Sequence, residues 1–223
     1  SLPAIDYNAR MQAYGKTPLT NECEYIIISP TGPDFLAWAD SIKKFRTEQG
    51  INTKIFTLPE VGGNTVAAIE GFIDNAYNTW TIKPVACLLL GDYGSDETKN
   101  IISHLYTHPA SYPNFASDNK YADVNNDEMP DVVFSRITAN DAAQLQIMVT
   151  KFLDYERNPP VNPRFYAKPI TALGWQTERW FQLCSEIVGG NFKYVQGKEP
   201  RRINKIYQGN PGSVWSTATN TKT

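Results

Sequence analysis

Pro84-Val-Ala-Cys-Leu-Leu-Leu-Gly91 is the stretch of sequence that decides the fold of this chain. Its inner residues are all apolar, without the alternation of polar and apolar residues that marks a strand with one face in water. Continuous apolar strands are typical of parallel sheets, because helices cover both faces of such sheets. The stretch therefore predicts an α/β fold: a parallel sheet flanked by helices, in three Rossmann-like layers.

Two strand-helix units precede this stretch and support the prediction. Residues 24–29 form a run rich in isoleucine, and residues 33–50 place their apolar side chains on one face of a helix. The same order returns with a strand at residues 53–57 and an amphipathic helix from Thr65 to about Tyr77. Strands that alternate with helices favour parallel pairing, because each helix carries the chain back across the sheet.

A proline-dense linker divides the remaining chain. Before it, a polar stretch leads to a strand at residues 131–135 and a helix that ends at Asn158. The linker spans residues 158–164, and another strand and helix follow it. Such linkers commonly mark domain boundaries. We therefore expect an N-terminal extension, a first α/β subdomain and the start of a second one: residues 1–23, 24–158 and 159–223.

Composition limits the class of protein. The chain has 223 residues, 41% of them hydrophobic, and no apolar run approaches the length of a membrane-spanning helix. A formal net charge of -2 gives no basic field for nucleic acid. We therefore expect neither a membrane span nor a nucleic-acid partner. Because the chain starts with Ser1 rather than methionine, we interpret it as a processed or subcloned piece of a longer protein.

The three cysteines are too few and too scattered for a disulfide scaffold or a zinc site. Cys87 lies within the strand that decides the fold, and Cys184 lies on the apolar face of a helix predicted from Glu178 to Val188. Thiols in such positions are commonly buried and unreactive. We therefore expect both to be small core residues.

The loop before residue 131 is a candidate metal site. Oxygen-bearing side chains occupy its first, third, fifth and ninth positions: Asp123, Asn125, Asp127 and Asp131. Calcium takes six to eight oxygen ligands and accepts carboxylates, amides and carbonyls together. The loop is not a helix-loop-helix calcium motif, since Glu128 replaces the glycine and Phe134 the final glutamate. The alternative is a solvated turn built by Asp and Asn without any metal.

Two further patterns carry weaker signals. His104 and His108 are spaced for one face of a helix, but Pro109 follows directly, which favours two ordinary loop histidines. Asp92 follows the apolar strand at the edge where open α/β sheets bind ligands, although a loop or helix-capping carboxylate is the alternative. No glycine-rich phosphate loop follows the first strand, because prolines stand at residues 30 and 33.

A series of motifs resembles gingipain-type cysteine peptidases over residues 24 to about 190. The motifs are, in order, Tyr25-Ile-Ile-Ile-Ser29, Gln49-Gly50, Glu60-Val-Gly62, Leu88-Leu-Leu-Gly-Asp92, the segment from Ser117 to Arg136, and Tyr155-Glu-Arg-Asn158. A later segment, Gly174-Trp-Gln-Thr-Glu-Arg-Trp-Phe-Gln-Leu-Cys184, matches one branch of that family. The order and spacing of the series carry the resemblance, rather than any single motif.

The resemblance implies a caspase-like catalytic domain of two subdomains, secreted or attached to the cell surface, with calcium supporting the fold. It also implies cleavage of protein or peptide substrates by a His-Cys pair, whose thiolate attacks the scissile carbonyl. This chain has no histidine after His108, and Cys184 falls inside a helix rather than after a strand. We therefore expect no catalytic residue in this chain and a His-Cys dyad beyond residue 223. The expected partner of this chain is the remainder of the catalytic domain.

The resemblance also points to candidate substrate-binding residues. Members that cleave after basic residues carry an acidic side chain just before the helix that begins here near Glu178. Glu178 and the neighbouring Trp175 are therefore the candidates, although Trp175 and Gln176 depart from the loop of those members. A carboxylate that stabilises the helix N-terminus is the alternative for Glu178. We interpret Arg136 as structural, with the carboxylates of the acidic loop as expected partners.

Two other functions stay open at this point. One is a non-catalytic, calcium-stabilised binding or accessory module with the same fold, since the chain shows no dyad. The other is a different α/β hydrolase or a receiver-like domain that uses Asp92 at the carboxyl edge of the sheet. The second alternative predicts loss of activity or of phosphoryl acceptance in Asp92→Asn, whereas the other functions predict a modest effect.

Overall fold

The fold is described from a computed structural model, which covers residues 22–107, 114–173 and 179–204. The chain forms two compact units, and the first ends at Arg157. Of the expected N-terminal extension, the described part holds only Glu22 and Cys23. Each unit is considered by itself below.

A four-stranded parallel sheet forms the centre of the first unit. The strands that build it are β1 (Tyr25–Ser29), β2 (Thr53–Thr57), β3 (Ala86–Leu90) and β6 (Val133–Ile137), in the order β2-β1-β3-β6. The apolar run of β1 lies between its two neighbours, with Ile27 opposite both Ile55 and Leu88. The predicted α/β fold with a parallel sheet is therefore confirmed.

Helices cover both faces of this sheet, as the continuous apolar strands require. The helices are α1 (Pro33–Glu48), α2 (Val66–Thr79) and α4 (Ala142–Arg157). On one face, Ile69 and Ile73 of α2 pack with Ile26 and Leu89 of the sheet in a fully buried cluster. On the other face, α1 and α4 form a second cluster with the remaining side chains of the strands. Burying one such side chain stabilises the fold by about 1.5–3 kcal/mol.

The ends of the helices follow local sequence signals. Thr65 caps α2, and its side chain accepts a hydrogen bond from the backbone N–H of Ala68 at 3.2 Å. Pro33 stands at the start of α1, where its fixed backbone suits the first turn. Beyond the other end of α1, Gly50 has a φ of 89°, a conformation that glycine adopts readily.

An ion pair joins α1 to α4 at the end of the sheet opposite the loops described below. The Arg46 guanidinium donates hydrogen bonds to both carboxylate oxygens of Glu156, one of them 2.8 Å long. The same guanidinium lies 5.6 Å from the ring centre of Tyr25 and 5.7 Å from that of Phe152. The pair thus connects two helices across an aromatic surface.

We expect this ion pair to contribute to acid sensitivity. Hydrogen bonding from Arg46 holds the pKa of Glu156 below its usual value of 4.5. A carboxyl whose folded pKa is lowered stabilises the fold above its unfolded pKa, and this contribution is lost as pH falls through the folded pKa. Urea unfolding between pH 7 and pH 3 should therefore show a smaller loss of stability in Glu156→Gln than in the unchanged protein.

The exposed Asp154 on the same helix provides the control for this pH experiment. Asp154→Asn should retain the full dependence of the unfolding free energy on pH. An identical pH dependence in Glu156→Gln and the unchanged chain would show that the ion pair does not carry this effect.

The second unit contains a smaller parallel sheet. Its elements are α5 (Pro163–Ala167), β7 (Ile170–Leu173), α6 (Arg179–Gly190), a π-helical turn (Asn191–Val195) and β8 (Arg201–Asn204). Strands β7 and β8 pair in parallel, with Ile170 opposite Arg201, and α6 packs against β7. The strand and helix predicted after the linker are therefore both present.

Candidate functional site

The loops at the carboxyl end of the large sheet are the natural place for a site in this fold. After β3, the chain runs through a long loop into a short antiparallel hairpin of β4 (His104–Tyr106) and β5 (Phe115–Ser117), then into the one-turn helix α3 (Asn119–Ala122). The acidic loop joins α3 to β6. The sequence after Gly91 predicts a polar stretch without regular structure, so the pairing of β4 with β5 is a feature that the prediction lacks.

Asp92 lies at this edge, as predicted, and acts there as a connector. Its Oδ2 accepts a hydrogen bond of 2.7 Å from the side-chain amide of Asn140, in the loop after β6. Its Oδ1 accepts a hydrogen bond of 2.8 Å from the backbone N–H of Tyr93. The bond from Asn140 joins two loops, and the bond from Tyr93 is local, which matches the loop carboxylate raised as the alternative for this residue.

Asn64 fixes the same long loop from the side of α2. Its side-chain oxygen accepts a hydrogen bond of 2.7 Å from the backbone N–H of Ile102, and its amide donates to the carbonyl oxygen of Gly94 at 3.1 Å. One amide therefore binds two points of the loop that lie eight residues apart.

Arg136 is the centre of the polar interactions at this edge. Its guanidinium donates five hydrogen bonds of 2.8–3.1 Å: two to the carboxylate of Asp118 and one each to the carbonyl oxygens of Gly91, Ile101 and Ile102. The side chain is only 10% exposed. Arg136 is therefore structural, as predicted, but the predicted partners were wrong. Its carboxylate partner is Asp118, before α3, and not a residue of the acidic loop.

The acidic loop itself folds around Asp123, which is only 7% exposed. Its two carboxylate oxygens accept hydrogen bonds from the backbone N–H groups of Asp127 and Glu128 at 3.1 and 2.9 Å. Asn125 also accepts from the N–H of Asp127, and Asp131 accepts from the N–H of Val124 at 3.0 Å. The four candidate ligands thus lie in one compact turn.

Two residues of this turn adopt the left-handed backbone conformation. Asn126 has a φ of 62° and Glu128 a φ of 71°. Glu128 occupies the sixth position, where helix-loop-helix calcium loops use glycine for a sharp turn. The sharp turn is therefore present without the glycine. Lys120 supports the turn from outside, because its ammonium group donates to Asn126 at 2.6 Å and pairs with Glu70 of α2 at 2.8 Å.

The donor chemistry of the turn suits calcium, but its arrangement is that of a hydrogen-bonded turn. Carboxylate and amide oxygens are the ligands calcium prefers. Across residues 22–107, 114–173 and 179–204, however, no three acidic, histidine or cysteine side chains converge closely enough to hold a metal ion. Hydrogen bonds within the loop therefore form the turn named above as the alternative, and metal binding at Asp123, Asn125, Asp127 and Asp131 stays a prediction.

A cavity of about 510 Å³ opens beside the acidic loop, between α3 and β6. Asp118 and Asp131 line it together with apolar residues such as Phe134. Its lining includes neither histidine nor cysteine. The cavity therefore lacks the nucleophile and base that hydrolysis by a His-Cys pair requires.

Comparisons with known proteins identify the family. The sequence profile of Peptidase family C25 matches residues 19–222, which is nearly the whole chain. The chain belongs to peptidase family C25. The predicted membership of the gingipain-type cysteine peptidases is thus confirmed, whereas no curated protein sequence matches significantly.

Solved structures resemble this C25 chain in fold. The complex of the pro- and mature domains of RgpB from Porphyromonas gingivalis has 16% identity and a TM-score of 0.61, over 82% of this chain and 42% of that one. The Arg-specific cysteine proteinase gingipain R has 16% identity and a TM-score of 0.60, over 83% and 41%. A structure described only as a protease has 18% identity and a TM-score of 0.61, over 91% and 44%. The chain therefore spans less than half the length of these relatives.

Two cysteines of this C25 chain, Cys23 and Cys87, are poor nucleophiles, and the third, Cys184, lies at the surface rather than in the core. Cys23 and Cys87 are buried, and burial raises the pKa of the Cys23 thiol to about 12 and that of Cys87 well above its usual value. Cys87 is a core residue, as predicted. Cys184 is exposed, so the prediction of a core position was wrong. It does lie on the apolar face of α6, but that face is not buried among the described residues.

The remaining candidates are only partly described. His104 lies in strand β4 rather than in a helix, with its ring 4.4 Å from that of Tyr106. His108, Trp175 and Glu178 lie outside the described residues. In the part of the chain with described structure, no helix is both long and apolar enough to span a membrane.

Proposed function

We propose that this chain is the amino-terminal part of the catalytic domain of a secreted or cell-surface cysteine endopeptidase. The observation that carries the proposal is the C25 match over residues 19–222, joined to a fold shared with gingipain R. The substrate is a protein or peptide. The remainder of the catalytic domain is the partner of this chain, and the His-Cys pair lies in that remainder.

The lengths of the relatives support this assignment. The solved relatives have more than half of their length outside the region that this chain matches. A thiolate nucleophile needs a low pKa and a neighbouring base. Cys23 and Cys87 lack the first property, and Cys184 lies within a helix. The chain therefore serves as a scaffold for chemistry carried elsewhere in the polypeptide.

Activity assays on two lengths of polypeptide test the proposal. The full-length gene product should hydrolyse a mixed peptide substrate and lose this activity on treatment with iodoacetamide, whereas residues 1–223 alone should show no hydrolysis. Cys184→Ser in the full-length protein should retain activity, because that thiol is not the nucleophile. Hydrolysis by residues 1–223, or a stable full-length protein without activity, would contradict the proposal. The second result would favour an accessory module.

Within this proposal, Glu178 and Trp175 contribute to substrate binding. One of the similar structures is described as an Arg-specific proteinase. A carboxylate at Glu178 would pair with a basic substrate side chain through charge-assisted hydrogen bonds. Glu178→Gln in the full-length enzyme should lower kcat/KM for substrates with arginine or lysine before the cut by at least about tenfold, the effect of losing about 1.4 kcal/mol of binding. Equal kcat/KM values in the variant and the unchanged enzyme would remove Glu178 from the site.

A further inference from the structure

The linker at the boundary between the two units is exposed along almost its whole length. From residue 157 to residue 168, every residue except Pro160 is exposed, and Val161 reaches an exposed fraction of 95%. Helix α5, which lies within this segment, has no buried residue. Pro159, Pro160 and Pro163 have no backbone N–H, so the segment can form few backbone hydrogen bonds. Exposed segments of this kind are preferred sites of proteolytic cleavage.

Basic side chains stand at both ends of the exposed segment, and folded structure holds both of them. The guanidinium of Arg157 lies 4.9 Å from the ring centre of Phe45 in the first unit. The ammonium group of Lys168 pairs with Glu199 of the second unit at 3.4 Å. The carbonyl oxygen of Ala167, next to Lys168, also accepts a hydrogen bond of 3.1 Å from the N–H of Glu199. These contacts restrain the chain at the two ends of the segment.

Arg164 lies between these two residues and is held by a local turn. Its side chain is exposed, and its backbone N–H donates a hydrogen bond of 3.0 Å to the side-chain oxygen of Asn162. The next residue, Phe165, donates its N–H to the carbonyl oxygen of Asn162 at 3.0 Å. The turn begins α5, which has five residues, and helices shorter than about 12–15 residues are marginal by themselves. Little free energy is therefore needed to extend the chain around the Arg164–Phe165 bond.

We propose that the Arg164–Phe165 bond is a processing site for an endopeptidase that cuts after basic residues. Such an enzyme binds an extended segment and recognises the basic side chain before the cut by an opposite charge. Water is the co-reactant: its hydroxyl group joins the carbonyl carbon of Arg164, and its remaining hydrogen joins the nitrogen of Phe165. The expected source of the cut is a second copy of this enzyme, and that part of the inference rests on the proposed function, since it uses the basic specificity proposed above.

A cut at this bond separates the two units in sequence and spares the core of the first. The two buried clusters of the first unit extend no further along the chain than Leu153. The paired strands of the second unit, β7 and β8, begin only at Ile170. Cleavage therefore removes the covalent connection between the first unit and the second, while neither sheet is cut.

Limited digestion of the native full-length protein with trypsin tests this site without any activity of the protein itself. Among cuts between residues 22 and 204, the cut after Arg164 should appear first, at least about tenfold faster than the cut after Arg157. Intact mass identifies it through the amino-terminal fragments that end at Arg164. A first cut at any other basic residue in this range would overturn the inference.

Matched substitutions assign the cut to this bond. Arg164→Gln should abolish it, whereas Arg157→Gln, which removes the same charge seven residues earlier, should leave its rate unchanged. Asn162→Ala removes the side chain that accepts from the N–H of Arg164, so the turn should open more often and the cut should be about fivefold faster. Equal cutting of the unchanged protein and Arg164→Gln within residues 158–168 would contradict the site.

The source of the cut is tested with the full-length enzyme itself. The substrate is full-length protein that has been inactivated with iodoacetamide and freed of the reagent, and a small amount of untreated enzyme is added to it. We expect the fragment that ends at Arg164 to appear, and to be absent when the added enzyme has also been treated. An added enzyme that cleaves peptides but leaves this bond intact would overturn the assignment to a second copy. A full-length protein without peptidase activity would contradict the proposed function, whereas digestion with trypsin decides the site independently.

Discussion

Replacing Arg136 by methionine is expected to lower the free energy of unfolding of the first unit by about 3–5 kcal/mol. The guanidinium makes five hydrogen bonds and is 10% exposed. Methionine fills much of the same volume but donates none of these bonds. The variant would leave the Asp118 carboxylate partly buried without its cation, together with three carbonyl oxygens without this donor.

Three further variants identify which part of Arg136 matters. Arg136→Lys keeps the charge but loses the planar fork that reaches Asp118 and the carbonyl groups together, so it should recover only part of the stability. Asp118→Asn keeps the side-chain shape and tests the charge of the partner. Arg157→Met is the control, because Arg157 lies at the exposed end of α4 over the ring of Phe45.

Urea unfolding followed by circular dichroism measures these changes in the free energy of unfolding. We expect Arg136→Met to have the largest effect and Arg157→Met an effect within about 0.5 kcal/mol, the usual range for surface positions. If Arg136→Met lost no more stability than Arg157→Met, the hydrogen bonds of Arg136 would not hold the loops to the sheet.

The central sheet could be predicted because its strands carry their own evidence. The continuous apolar runs of β1 and β3 require cover on both faces, and the periodic helices between them supply it. The hairpin of β4 and β5 could not be predicted in this way. Each of its strands has only three residues, too few to show a periodic pattern of polar and apolar side chains.

Residue partners were harder to predict than residue roles. Arg136 was recognised as structural from its place at the end of a strand, but its contact with Asp118 joins segments that are 18 residues apart. Sequence proximity to the acidic loop suggested the wrong carboxylates. Cys184 shows the same limit, because helical periodicity identifies the apolar face of α6 but not the element that covers it.

The acidic loop shows how one pattern of residues serves two structures. Asp and Asn at alternate positions build turns by accepting backbone N–H groups, and they also supply calcium ligands. In this chain, the first role is visible in the hydrogen bonds to Asp123. A carboxylate oxygen that accepts one N–H retains a second acceptor site, so the two roles are compatible in the same turn.

Calcium is expected to stabilise the first unit through this loop. Asp123, Asp127 and Asp131 place three carboxylates in one short loop, and carboxylate oxygens are ligands that calcium prefers. At a free calcium concentration 100 times Kd, binding to the folded state alone would raise the free energy of unfolding by about 2.7 kcal/mol. Thermal unfolding of residues 1–223 in EDTA and over a range of calcium concentrations measures this effect.

Matched substitutions assign the calcium effect to the loop. Asp127→Asn removes a charge at an exposed position while retaining an oxygen that can accept from the N–H of Met129, so the calcium-induced rise in melting temperature should become smaller. Asp154→Asn removes the same charge on α4 and should leave the rise unchanged. Magnesium should have a weaker effect, because it requires near-octahedral geometry and loses its water reluctantly. No rise with calcium, or an equal rise in Asp127→Asn and Asp154→Asn, would leave the turn as a purely hydrogen-bonded structure.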